Sequence, residues 1–156
     1  MGTTFAVVFV ALYAAHLVMD HWGQTSHQAA NKGRCGSRTE NRAGRLACAS
    51  HVATYTAGTA LTTLLVALVF ADVAVSPLGF VVGQAVSALT HYWADRRHTL
   101  ARLAAATGKA GFYALGAPRP GRDDNPSLGT GSYALDQSWH IGWLAVSAFL
   151  TALLGG

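Results

Sequence analysis

The sequence predicts an all-α integral membrane protein: a four-helix bundle with an additional interfacial or re-entrant helix. Three observations carry this. Hydrophobic residues make up 51% of the 156-residue chain and charged residues only 12%, about half the charged share of an average soluble domain. The charges gather in clusters separated by long uncharged runs. Four of those runs approach the roughly twenty residues that a helical span needs once their polar ends are included. A soluble helical domain with a very apolar core is the alternative, and it would need more surface charge than this chain carries. Residues 1–156 read as a single transmembrane domain.

The first span covers residues 3–24. No positive charge precedes its apolar run, so it reads as a span and not as a cleavable signal. His16 and Asp20 lie toward its polar end, and Trp22 fits an interfacial aromatic. Residues 25–45 form a basic loop with Lys32, Arg34, Arg38, Arg42 and Arg45, rich in Gly and Asn and without periodicity, hence irregular or partly ordered by something else. The second span covers 46–71, with threonines whose hydroxyls a helix can satisfy on its own carbonyls. A short turn at 72–77 leads to the third span, 78–95. Residues 99–131 follow, first a weakly amphipathic stretch around Leu100, Leu103 and Ala104, then a Pro/Gly-rich loop. The stretch is too short and too charged to cross, so it reads as interfacial or re-entrant. The fourth span covers 133–154, with Ser132 as its expected cap.

Basic residues set the orientation. They follow the first span and the third, whereas the turn after the second has none. The positive-inside rule then places both basic regions in the cytoplasm and both termini outside, in a multi-pass protein of the inner or plasma membrane. The net charge of +4 is explained by those loops. No CxxC pair, phosphate-cradling glycine loop or aromatic–basic repeat points to nucleic acid. The two cysteines, Cys35 and Cys48, do not make a disulfide scaffold. Cys48 reads as a small packing residue, with soft ligation as its alternative.

This topology brings the ionisable groups to one depth. His16 and Asp20 close the first span, His51 opens the second, His91 and Asp95 close the third, and Asp136 and His140 open the fourth. His16/Asp20, His91/Asp95 and Asp136/His140 are each four apart, so each pair shares a helix face about 6 Å apart along the axis. Gln84 and Ser87 extend the third stripe and Ser147 the fourth. Exposing such stripes to lipid is costly, so they should face the bundle interior.

Imidazole nitrogens and carboxylate oxygens are ligands for a divalent metal. Zinc is the first expectation, and manganese follows if oxygen ligands dominate. The seven residues His16, Asp20, His51, His91, Asp95, Asp136 and His140 exceed one tetrahedral shell. They could hold one ion with supporting neighbours, or two ions. A general base would be a carboxylate or imidazole left unligated, with Asp95 and His140 as the candidates. A site at the cytoplasmic membrane edge suits a phosphate-containing lipid. Its tail stays in the bilayer, and Lys32, Arg96 and Arg97 attract the anionic headgroup. An anionic phospholipid or a polyprenyl phosphate is a reasonable test substrate. For any single pair, a hydrogen-bonded helix contact is the plainer explanation; it is the coincidence in depth that favours ligation.

His16-x-x-x-Asp20-x-x-x-Gln24, Asn31-Lys32, His51 opening a helix, His91-x-x-x-Asp95 and Asp136-Gln137-x-x-His140 occur in that order over nearly the whole chain. In this pattern the sequence resembles the bacterial and phage membrane family called domain of unknown function 3307. More distantly it resembles proteins labelled as membrane-bound metal-dependent hydrolases. The resemblance implies a metal at His16, Asp20, His91, Asp95, Asp136 and His140. The chain departs from the pattern at His21-Trp22-Gly23 and in the basic, Cys35-containing stretch 33–45.

Two further classes compete with the hydrolase. A metal or proton transporter also uses intramembrane His and Asp, but the outer halves of the spans read as apolar, without a continuous polar path. A non-catalytic phage or bacterial membrane factor would use the cluster as a structural core.

Overall fold

The computed structural model describes residues 1–118, 121 and 130–155. Helix α1 (Gly2–Val18) runs into a π-helical turn, Met19–Gly23, and is followed by α2 (Ser26–Asn31), α3 (Arg38–Val69), α4 (Pro77–Asp95), α5 (His98–Ala106), α6 (Ala110–Tyr113) and α7 (Gly131–Leu153). Every element among the described residues is helical, as the composition predicts. Arg119, Pro120, Arg122, Asp123, Asp124, Pro126 and Gly129 of the Pro/Gly-rich loop lie outside the described residues.

The basic stretch 25–45 departs from the irregular loop expected of it. Two capping boxes order it. The Thr25 hydroxyl accepts from Gln28 N (3.2 Å) while Thr25 N donates to Gln28 Oε1 (2.8 Å). Ser37 and Glu40 exchange the same pair of bonds at 3.3 and 2.9 Å. Each box satisfies two of the orphan donors of a helix start. Helix α2 is thereby nucleated, and α3 begins eight residues before the expected 46, which lengthens it by about 12 Å. The Gln28 amide also donates to Ser50 Oγ (3.0 Å), which ties α2 to α3. At the start of α7 the cap is Thr130, whose hydroxyl accepts from Tyr133 N (3.2 Å), and not Ser132.

The four long helices pack in a ring: α1 lies against α3 and α7, and α4 lies against α3 and α7. Val8 and Leu12 of α1 meet Leu144 and Ala148 of α7, with Val73 from the α3–α4 connection closing that end. Glycine permits the closest approach, between α4 and α7. A Cβ on Gly79 would lie 2.6 Å from the Thr151 carbonyl oxygen, and one on Gly83 would overlap the Thr151 hydroxyl. The stretch 99–117 forms two short helices, α5 and α6, with Leu100 and Ala104 of α5 buried. Arg97, in the turn between α4 and α5, is the one non-glycine residue with positive φ (54°) among the described residues.

Two helical stretches, Gly2–Gly23 and Arg38–Val69, are long and apolar enough to cross a membrane. Helices α4 and α7 fall short of that apolarity because polar stripes run along them: Gln84, Ser87, His91 and Asp95 on α4, and Asp136, His140 and Ser147 on α7. The distribution of side chains is inverted relative to a water-soluble bundle. Val10, Leu61, Leu68, Leu78, Val81 and Leu89 are exposed, whereas Thr59, Thr63, Gln84, Ser87, His91, Asp95, His140 and Ser147 are buried.

Candidate metal centre

Five elements deliver the predicted residues to one place. His16 comes from α1 and Asp20 from the π-helical turn that ends it. His51 comes from α3, His91 and Asp95 from α4, and Asp136 and His140 from α7. His16, His51, His91, Asp95 and His140 are each at most 3% exposed. A π-helical turn carries an extra residue, and such turns recur at functional sites because they re-aim side chains. Here the turn directs Asp20 at α3 and α4.

The tightest group is Asp20, His51, His91 and Asp95. His51 Nε2 lies 2.9 Å from Asp20 Oδ1, 3.3 Å from Asp95 Oδ2 and 3.0 Å from His91 Nε2. His91 Nε2 lies 3.5 Å from Asp20 Oδ1 and 3.3 Å from Asp95 Oδ2. Zinc–nitrogen and zinc–oxygen bonds of 2.0–2.1 Å set the donors of a tetrahedral shell about 3.3–3.4 Å apart. The observed separations bracket that value. The four donors converge on one point, and two imidazoles turn the same nitrogen toward it. These residues can chelate a divalent metal ion.

Two more groups overlap this one. His16, His91 and His140 can bring three nitrogens within 4.8 Å of one another, and Asp20, Asp136 and His140 can do the same with two oxygens and a nitrogen. All seven predicted residues therefore take part in at least one ligand set. His16 Nε2 faces Gln137 Oε1 (3.4 Å), and His140 Nε2 lies 3.6 Å from Asp136 Oδ1 and 3.9 Å from Asp95 Oδ1. Asp95 Oδ2 and His140 Nε2 are buried without a hydrogen-bond partner among the described residues. The same holds for Nδ1 of His16, His51 and His91, so the imidazoles lack the carboxylate or carbonyl that commonly orients a ligating histidine. Packing orients His91 instead: the Tyr55 ring stacks on it at 3.9 Å.

Lys32 joins the site from α2, and its role here was not legible from its place in a basic loop. Its Nζ lies 2.8 Å from Asp95 Oδ1 and 3.8 Å from Asp20 Oδ1. Arg96 holds the segment that presents it. The buried guanidinium donates to the carbonyls of Lys32 (2.7 Å) and Arg34 (2.8 Å) and to Asn41 Oδ1 (2.8 Å). The expectation that Lys32, Arg96 and Arg97 all await an anionic headgroup is thus corrected. Lys32 is paired with ligand carboxylates and Arg96 is engaged with backbone, because burial demands partners for both. Arg97 remains at the rim. With neutral imidazoles, Asp20, Asp95, Asp136 and Lys32 leave two negative charges, which one divalent cation would cancel.

A cavity of about 500 Å³ borders the cluster, lined among others by Asp20, Asp95, Asp136, Lys32, Arg97 and Tyr113. Burial, with Asp136 nearby, raises the Tyr113 phenol above its ordinary pKa, so its hydroxyl is a proton donor at neutral pH. Leu100 belongs both to this cavity and to a neighbouring groove with Leu103, Leu135 and Trp139.

On the far side of the cluster, polar residues continue where apolar ones were expected. Tyr55 OH and Ser87 Oγ are 2.9 Å apart, Thr59 Oγ1 donates to Gln84 Oε1 (2.9 Å), and Gln84 Nε2 donates to Thr63 Oγ1 (3.2 Å). His51, Tyr55, Thr59 and Thr63 form one stripe at four-residue intervals. The buried Cys48 thiol meets the Tyr92 carbonyl (3.6 Å), as a packing residue would. His21 and His27 are exposed and His98 is half-buried. None of these four belongs to a ligand set among the described residues. No family model, curated protein or solved structure matches the chain.

Proposed function

We propose that this protein is a multi-pass membrane hydrolase that uses a divalent metal, zinc in the first instance, on a phosphate-containing lipid or its headgroup. One observation carries the reading: a buried donor set with near-tetrahedral spacing adjoins a cavity through two of its members. Its Asp20 and Asp95 face both the donor set and the open space. The inverted side-chain distribution supports burial of all four long helices in lipid, and the basic residues after the first and third spans favour two outside termini with the cluster toward the cytoplasm. The family resemblance drawn from the order His16 to His140 belongs to this proposal.

His51, His91, Asp20 and Asp95 would hold the ion. When bound, it supplies Lewis acidity for attack of water on phosphorus. Lys32 holds Asp20 and Asp95 in place and offsets part of their charge. Arg97 and the Tyr113 hydroxyl stand where they can donate to phosphate oxygens, and the groove beyond Leu100 accommodates an apolar chain. Of the two residues expected as general bases, Asp95 has Oδ1 paired with Lys32 and Oδ2 in the four-donor set that would hold the ion. His140 keeps a free nitrogen.

The test is elemental analysis of detergent-purified protein, paired with phosphate release from a phosphatidate and a polyprenyl phosphate in mixed micelles. Wild type should retain zinc or manganese and release phosphate, and His91→Ala should lose both while remaining helical. Folded wild type that binds neither metal ends the proposal. Retained metal without phosphate release from either lipid removes its substrate half.

A metal or proton transporter is the second reading. It is favoured by the polar stripe from His51 to Thr63, which extends from the cluster along the α3–α4 contact. Uptake of labelled metal, or of protons, into sealed vesicles containing the protein distinguishes it from the hydrolase.

A further inference from the structure

The four-donor set leaves part of the cluster unused. Asp136 and His140 are not among those four, and their side chains meet at 3.6 Å on the cavity side. The Asp136 side chain is partly exposed (26%), whereas that of His140 is buried (2%). His140 Nε2 has no hydrogen-bond partner among the described residues, although Asp136 Oδ1, Asp95 Oδ1 and the His16 ring surround it. A buried polar nitrogen without a partner costs free energy, and a cation is what this one lacks. Asp95 and Asp136, the two carboxylates beside it, both line the cavity. Asp20, Asp136 and His140 bring their donors within 4.8 Å of one another.

Asp20 is common to this trio and to the four-donor set. Its Oδ1 takes the contacts to His51, His91 and Lys32, and its Oδ2 is turned toward His16 (4.0 Å). A carboxylate that divides its oxygens in this way can bridge two ions. We propose that Asp20, Asp136 and His140 form a second divalent-cation site, so that the cluster is a two-metal centre with Asp20 shared between an inner and an outer ion. This rests on the hydrolase reading and deepens it.

The two sites differ in character. The inner set is closed on four protein donors. The outer set has three, of which Asp20 and Asp136 line the cavity, so it is the one with room for a further ligand. One divalent ion balances the two negative charges of the carboxylates and Lys32. A second leaves the centre cationic, which favours an anion such as phosphate in the cavity. In this assignment His140 is a ligand and not the proton acceptor, because its free nitrogen is spent on the ion. Two ions flanking one phosphate would stabilise the attacking and leaving oxygens together.

The experiment loads full-length protein in detergent micelles with Mn²⁺ alone. Bound ion is counted by elemental analysis after desalting, and the electron paramagnetic resonance spectrum is recorded. Wild type should hold two ions per chain and give the multiline spectrum of a coupled pair. Asp136→Asn should hold one and give the six-line pattern of an isolated ion, with an unchanged thermal midpoint in the absence of metal. His140→Gln should behave as Asp136→Asn, and it serves as the second variant if either fails to fold. One ion in saturated wild type overturns the outer site and leaves the inner one standing. Two ions in both variants also overturn it. No ion in wild type overturns both sites.

Discussion

Arg96 is a place where a residue outside the metal ligands should control the site, and the size of the effect can be worked out. Its guanidinium is 4% exposed and fastens three acceptors: the carbonyls of Lys32 and Arg34 and the side chain of Asn41. A hydrogen bond from a charged donor nets about 1.5–3 kcal/mol, and each buried carbonyl left without a partner costs about 1–3 kcal/mol. These contributions share one side chain and do not add. Arg96→Ala should therefore loosen residues 26–37 by about 3 kcal/mol. At roughly 1.4 kcal/mol per tenfold, that is about a hundredfold rise in the open population of α2. Six residues do not sustain a helix alone, so the α2 amides should report it. Hydrogen exchange in micelles is the assay, read at the amides of Ala29 and Lys32, which bond to the Thr25 and Gln28 carbonyls. Arg96→Lys keeps the charge but not the planar fork, and should recover only a minor part of the protection. Because Lys32 would lose its tether beside Asp95, metal affinity should fall in the same variants. Unchanged protection in α2, or an equal loss throughout α1, α3 and α4, would refute the reasoning, since the first denies the tether and the second denies its locality.

Three other outcomes are expected. Gly83→Ala should destabilise the α4–α7 contact by about 1–3 kcal/mol, the usual cost of overpacking, because the added methyl meets the Thr151 hydroxyl; thermal unfolding in detergent measures this. Tyr55→Phe removes the bond to Ser87 and should cost about 1 kcal/mol, in the range measured for hydrogen bonds between membrane helices, with metal content unaltered; a fall in vesicle transport without loss of metal would instead speak for the transporter. Chelation should lower the thermal midpoint of wild type, since an ion at 100 times its dissociation constant adds about 2.7 kcal/mol, and should lower that of His91→Ala by less.

The all-helical class and the ligand cluster were legible because they rest on patterns that survive without tertiary information, whereas the short helices α2 and α6 were not. Apolar run length located the long helices, and the three i,i+4 pairs located a shared face on α1, α4 and α7. His51 had no paired carboxylate, yet extending it by fours through Tyr55, Thr59 and Thr63 would have revealed the polar stripe. The basic stretch misled because composition was weighed above spacing. Thr25-x-x-Gln28 and Ser37-x-x-Glu40 both have the capping-box form, and both start helices. Lys32 and Arg96 were less accessible still. Each reads as a topology charge, and only the docking of α2 on α3, through Gln28 and Ser50, shows that both are buried. The burial of a cation depends on which acceptors surround it in space, and those lie 62 to 64 residues away for the Arg96 bonds to Arg34 and Lys32.

The π-helical turn at Met19–Gly23 makes chain length, and not only residue identity, a variable of the site. Excising a single residue there would let the ordinary α-helical bonding pattern resume, with a rotation of about 100° for whatever follows. His16, upstream, would keep its direction, while Gln24, the Thr25 cap and Lys32 would all be re-aimed together, and Asp20 with them if the lost residue is Met19. A one-residue deletion in this five-residue window that spares Asp20 would thus change how the lysine meets the carboxylates it steadies while leaving every ligand in the sequence.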